Sequence, residues 1–177
     1  RLDVSSLGLD TAPPIAWIEL DRPSDPKSLM RPVSPVETSV TTRRPVLRWR
    51  TDPGVLRTNL TLSRRDASGA LQPVETWKGL TGHHHEVSRP LEPGYDYRWQ
   101  IPVGDRESRD DEPRQAQDTE AWFHVLSDQA NRAIRESDRT ISTWQLANPD
   151  AVKPLEVIRA LVWEHHGLTT EARTAWD

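Results

Sequence analysis

The chain contains no cysteine, which excludes a disulfide framework, a thiolate metal centre and a cysteine nucleophile. Absent cysteine fits either redox compartment and so does not locate the protein. No apolar run approaches the ~18 residues that a membrane-crossing helix needs, and the mean hydropathy is −0.74. Phenylalanine and methionine occur once each and tyrosine twice. The hydrophobic share is 34% of 177 residues, low beside the roughly 45–50% apolar usage of ordinary globular chains. An excess of one charge is missing too. The 23 basic and 27 acidic side chains leave −4, which excludes a polybasic nucleic-acid binder and a solvated acidic tail as whole-chain descriptions. What is abundant is 15 Pro and 8 Trp. The length fits one domain of ordinary size or two small ones.

Four zones follow from proline content, charge and periodicity. Residues 1–31 hold Pro13, Pro14, Pro23, Pro26 and one apolar knot, Ile15-Ala16-Trp17-Ile18. The prolines bar a helix and favour an extended arm whose Trp17 knot docks on another surface. Arg1 in place of Met leads us to expect a removed leader, anchor or upstream segment.

Residues 32–126 carry strand signals at short spacing. Val46 to Arg50 alternates, with Leu47 and Trp49 on one face and Arg48 and Arg50 on the other. Asn59 to Ser63 alternates again and closes in Asp66-Ala67-Ser68-Gly69, a turn composition. Val74 to Lys78 is a weaker strand and His83 to Val87 a fourth. In Tyr95 to Val103, the residues Tyr95, Tyr97, Trp99, Ile101 and Val103 share one face, with Asp96, Arg98 and Gln100 on the other. The last strand is Thr119 to Leu126, with Phe123 and Val125 inward and Trp122 and His124 outward. Period-2 patterning gives each strand one buried and one solvated face, and no helical crossover fits between strands. The expected fold class is therefore mainly β with α: an antiparallel β-sandwich with a helical tail. Between the last two strands, Gly104 to Glu120 holds seven acidic and three basic residues. With almost nothing apolar to bury, it reads as a solvated loop, or as a docking site for a basic partner.

From Ser127 the period becomes helical. Ser127 suits an N-cap, and Ala130, Ile134, Ile141 and Trp144 form one stripe. Asn148-Pro149-Asp150 breaks that helix, and Leu155, Ile158, Leu161, Val162 and His165 form a second stripe. Gly167-Leu168 reads as a Schellman end, and Thr169 or Thr170 caps a third helix. Residues 127–177 thus form an α-helical tail.

Two resemblances follow from these residues. Arg44-Pro45-Val46-Leu47-Arg48-Trp49, with the later Leu91-Glu92-Pro93-Gly94-Tyr95-Asp96-Tyr97-Arg98-Trp99, resembles an immunoglobulin-like or fibronectin type III-like domain over about residues 32–126. The resemblance implies a sandwich in which Tyr97 and Trp99 cross the core towards Trp49, and it says almost nothing of function. The run from Ala160 to Trp176, with Gly167 at the turn and Ala172 after it, resembles half of a tetratricopeptide repeat. One such repeat cannot bury its own face, so it must pack on the first helix, on the sandwich or on another protein. The pairing is similar to parts of bacterial envelope proteins, which implies an extracytoplasmic, periplasmic and membrane-associated location.

Candidate chemistry is sparse. In His83-His84-His85, strand parity puts His83 and His85 on one face and His84 on the other, short of the three or four convergent ligands zinc takes. His165-His166 lies at a helix C-terminus, where an imidazolium suits the dipole. Nucleophile, phosphate-loop and zinc-protease motifs are missing from the sequence. The reading is no enzyme, no cofactor and no metal. Arg43, Arg44, Arg48 and Arg50 cluster early and Arg64 and Arg65 follow, but their strands belong to different sheets of a sandwich, so a continuous basic stripe and nucleic-acid binding are not expected. Trp49 and Trp99 belong to the core, and Trp144 and Trp163 to helix packing. Trp17, Trp122 and Trp176 are the candidate partner-binding residues. The expectation is a non-catalytic protein–protein interaction module, an accessory or scaffolding subunit of a membrane complex whose other protein subunits are its partners. The competing expectation is a carbohydrate- or ligand-binding or sensor module that stacks its ligand on Trp122.

Overall fold

The computed structural model describes residues 30–51, 57–101 and 119–176. The expected arm up to residue 29, with Trp17, most of the acidic stretch after Ile101, and Val103 lie outside the described residues, while Met30 and Arg31, expected in the arm, belong to a strand. Eight strands and three helices follow in order: β1 Met30–Ser34, β2 Thr38–Val40, β3 Val46–Thr51, β4 Thr58–Arg65, β5 Leu71–Leu80, β6 His84–Glu86, β7 Tyr95–Gln100, β8 Glu120–Val125, α1 Asp128–Ala147, α2 Val152–His165 and α3 Thr169–Trp176. A 3-10 turn, Pro149–Ala151, joins α1 to α2.

The strands form a three-stranded sheet, β1-β3-β6, and a five-stranded sheet, β2-β8-β7-β4-β5. All pairs are antiparallel except β2 with β8. The alternating residues do what their parity dictates. Leu47 and Trp49 of β3 meet Leu60 and Leu62 of β4, Trp77 of β5, Tyr97 and Trp99 of β7, and Phe123 and Val125 of β8 in one buried cluster. Each such side chain contributes about 1.5–3 kcal/mol on leaving water. The polar ends of the buried rings are satisfied where they can be. Trp99 donates its indole N–H to Pro35 O at 2.9 Å. The Tyr97 hydroxyl accepts from Glu92 N and donates to Glu92 O. Tyr97 also stacks on Phe123, with ring centroids 5.6 Å apart.

The turns carry the expected chemistry. Asp66 Oδ1 accepts from the backbone N–H of Ser68 and Ala70, and Gly69 takes the positive φ of 85°. Hydrogen bonds from the Ser68 and Gln72 side chains, helped by these backbone bonds, lower the Asp66 pKa to about 2. Pro93-Gly94 turns the chain into β7, with Gly94 at φ 83°. Three strands and one residue depart from the sequence reading. β1 and β2 precede Val46, the first strand expected. β5, expected as a weak strand, is the longest, with ten residues. Tyr95, expected inward, is exposed at the start of β7, where the Arg64 guanidinium lies 4.7 Å from its ring centroid.

Ser127 caps α1 as expected, accepting from Ala130 N at 3.1 Å. Ile134 and Ile141 are buried, but Trp144, expected in the packing stripe, is 37% exposed. On α2, Leu155 and Val162 are buried while Leu161, expected beside them, is 49% exposed. Arg159 ties the two helices, reaching Asp138 of α1 at 3.5 Å and Glu156 at 2.6 Å. The α2 end is a Schellman motif: Leu168 N donates to Trp163 O and Gly167 N to Glu164 O, both at 2.9 Å, with Gly167 at φ 72°. Leu168 packs with Trp163, Leu126, Ile134 and Ala130 in a second apolar cluster.

That cluster joins the helices to the sheets. Gly167 O accepts from Ser39 N at 2.7 Å and from Thr38 Oγ1 at 3.2 Å, and Thr169 N donates back to Thr38 Oγ1 at 3.2 Å. The α2–α3 turn therefore covers the edge of β2, and α3 begins at Thr169 with its N–H received by a strand residue. Neither Thr169 nor Thr170 is the cap that the sequence reading expected. The hairpin of α2 and α3 leans on the first helix and on β2. Among the described residues no helix is long and apolar enough to cross a membrane.

Candidate functional site

Trp122 stands on the outer face of the five-stranded sheet. Parity on β8 holds: Ala121, Phe123 and Val125 are buried, while Glu120, Trp122 and His124 are half-buried on the other side. Register places Trp122 opposite Arg98 on β7, and Arg98 opposite Ser63 on β4. Arg65, two residues along β4, reaches across so that its guanidinium carbon lies 4.0 Å from the Trp122 ring centroid, with that of Arg98 at 5.9 Å. Contacts of this kind are worth about 0.5–1 kcal/mol each at partly exposed sites. They hold the indole in place without removing it from the surface.

The surrounding charges are matched. Asp96 Oδ1 lies 2.8 Å from His124 Nδ1, and Asp96 Oδ2 lies 3.9 Å from Arg65. Glu120 receives Arg98 at 3.4 Å and Gln100 at 3.2 Å. The hydrogen bond from His124 keeps the Asp96 carboxyl below the usual carboxylate range. Burial opposes this, and the charges of His124 and Arg65 assist it. This face is a half-buried aromatic ring framed by ion pairs. Arg98 and Asp96 were assigned to this face by their parity in the sequence. Arg65 was not, because only the pairing of β4 with β7 and of β7 with β8 brings it to Trp122.

The other candidates are dispersed. Trp17 lies outside the described residues, and Trp176 is the last residue of α3. Of the histidine run, His83 Nδ1 lies 3.3 Å from Thr51 Oγ1, His84 is exposed, and His85 packs edge-on against Trp77 with centroids 4.8 Å apart. Among the described residues no group of three or more His, Asp or Glu is placed to hold a metal ion. His166, expected to favour the imidazolium, is instead buried. Burial pushes its pKa down, and the charge of His165 adds to the effect.

An open depression of about 390 Å³ lies on the other sheet, lined by Val33, Arg48, Trp49, Arg50, Thr51 and His83. Arg48 and Arg50 on β3 and Arg64 and Arg65 on β4 belong to different sheets, as expected. In comparison with known proteins, the chain matches no family model and no curated protein sequence.

Proposed function

We propose that this chain is a non-catalytic protein–protein interaction module, serving as an accessory or scaffolding subunit of a membrane-associated, extracytoplasmic assembly. The observation that carries the reading is Trp122, held at the surface under Arg65 and beside Arg98 within balanced ion pairs. Tryptophan and arginine are the side chains that dominate interface energetics, most of all when the ring is preorganised. The helices add exposed apolar side chains, with Val157 at 42%, Leu161 at 49% and Leu146 at 86%.

The scaffold we propose is an immunoglobulin-like sandwich. Its support is the division of the strands, with the first, third and sixth in one sheet and the eighth, seventh, fourth and fifth in sequence in the other. The corner made by the Tyr97 hydroxyl on the backbone of Glu92 belongs to the same architecture. The location rests on the likeness to envelope modules. A sugar-stacking module is the weaker reading. It needs open, coplanar tryptophans, whereas Arg65 covers one side of Trp122, and Trp77 and Trp99 of the same sheet are buried.

Affinity capture from detergent-solubilised membranes tests the proposal, with the full chain and its Trp122→Ala variant as paired baits. We expect stoichiometric co-purifying chains with the native bait and at least about tenfold less with the variant, the loss of one hot spot. Recovery of a solitary soluble monomer would overturn the reading. Equal recovery with both baits would remove Trp122 from it.

A further inference from the structure

We infer that the outer face of the three-stranded sheet docks an acidic peptide segment of a protein partner, held by Arg31, Arg48, Arg50 and His84. Register makes this face. Arg31 on β1 is directly opposite Arg50 on β3, and Arg48, two residues back, is directly opposite His84 on β6. Arg31, Arg48, Arg50 and His84 are all exposed. Like charges placed directly opposite each other destabilise a sheet, so the Arg31–Arg50 pair is a cost to folding.

Among the described residues, five arginines of other elements are neutralised. Arg64, Arg65, Arg98, Arg139 and Arg159 each have a carboxylate within 4.0 Å. Among the described residues, no ion pair neutralises Arg31, Arg48 or Arg50. Glu86 is on the same side of β6 one rung beyond His84, opposite Val46, and makes no ion pair with Arg48. The depression described above is lined by Arg48 and Arg50. Val33, 44% exposed, lies in its wall, and so does Trp49, whose buried indole N–H has no partner.

The spacing favours a peptide over a nucleic acid. Arg48 and Arg50 are alternate residues on one strand, about 6.8 Å apart, the distance at which an extended peptide presents its own alternate side chains. Guanidinium groups match carboxylates two bonds at a time. A long polyanion would meet the net charge of −4, whereas a short acidic segment engages the face alone. This site is on a different sheet from Trp122, so it extends the interaction-module reading without depending on that surface.

The probe is a fluorescein-labelled nine-residue peptide of alternating Glu and Thr, titrated against the full chain by anisotropy. We expect saturable binding that weakens with salt and falls about tenfold for each arginine lost in Arg48→Gln and Arg50→Gln. Arg139→Gln, on α1, leaves it unchanged. Because the arginines oppose folding, Arg50→Gln keeps or raises the melting temperature while it weakens binding. The proposal is overturned if the variants bind like the native chain, or if an uncharged Ser-Thr peptide binds equally. It is overturned too if an oligothymidylate of equal charge binds more tightly. Retained partner capture by Arg50→Gln alongside lost peptide binding would separate this site from the Trp122 surface.

Discussion

Burial works against the helix dipole at His166. The C-terminus of α2 favours an imidazolium, but the buried ring loses more by giving up water than it gains from the dipole, and its pKa falls below the usual 6.5. The unfolded chain therefore takes up a proton that the folded chain refuses. The contribution of His166 to stability is complete above 6.5 and is lost as the pH falls towards its folded pKa. We expect the imidazole resonance of His166 to titrate below 6.5. Urea midpoints should fall between neutral and mildly acidic pH, less steeply in His166→Gln. A resonance midpoint at or above the usual value would show the ring to be hydrated. At the start of α1, Ser127→Ala removes the hydroxyl that receives Ala130 N. The expected cost is about 1 kcal/mol in denaturant unfolding.

Among the elements, the α2–α3 turn is the one with work on both sides. Gly167 ends α2, and its carbonyl closes the edge of β2, while Thr38 receives the first N–H of α3. Thr38→Val keeps the shape of the side chain and removes the hydroxyl's contacts with Gly167 O, Ser39 O and Thr169 N. We expect a loss of about 1–3 kcal/mol and faster hydrogen exchange at Ala172, with amides of β4 little changed. Uniform acceleration throughout the chain would mean that the helices and sheets open together.

For the molecule as a whole, the decisive feature is the buried cluster to which both sheets contribute. Phe123 is fully buried there and stacks on Tyr97. Phe123→Ala should cost about 3–5 kcal/mol, read as a lower melting temperature by both near- and far-ultraviolet circular dichroism. A change confined to the near ultraviolet would place the ring outside the cooperative core. The surface arginines follow the opposite logic. Those that touch Trp122 are paired, and those on the three-stranded sheet are not, so salt should weaken peptide binding at the second face far more than it lowers stability.

Local chemistry made much of this chain legible in its sequence. Strict alternation around Tyr97 and Trp99 fixed which faces are buried, because a strand has period two. Ser127, Asp66 and Gly167-Leu168 marked a cap, a turn and a helix end, because those bonds close within a few residues. Trp122 was legible as outward by the same parity. β1 and β2 were not, because Pro32 and Pro35 interrupt the pattern and β2 owes its pairing to β8, more than eighty residues away. β5 is an edge strand with little buried surface, so it carries no alternation to read. Trp144 and Leu161 fell on apolar stripes, yet periodicity says which residues share a helix face and not how far the layer beneath extends. Tertiary pairing alone placed Arg65 on Trp122 and set Arg31 against Arg50, since which strands become neighbours depends on contacts distant in sequence.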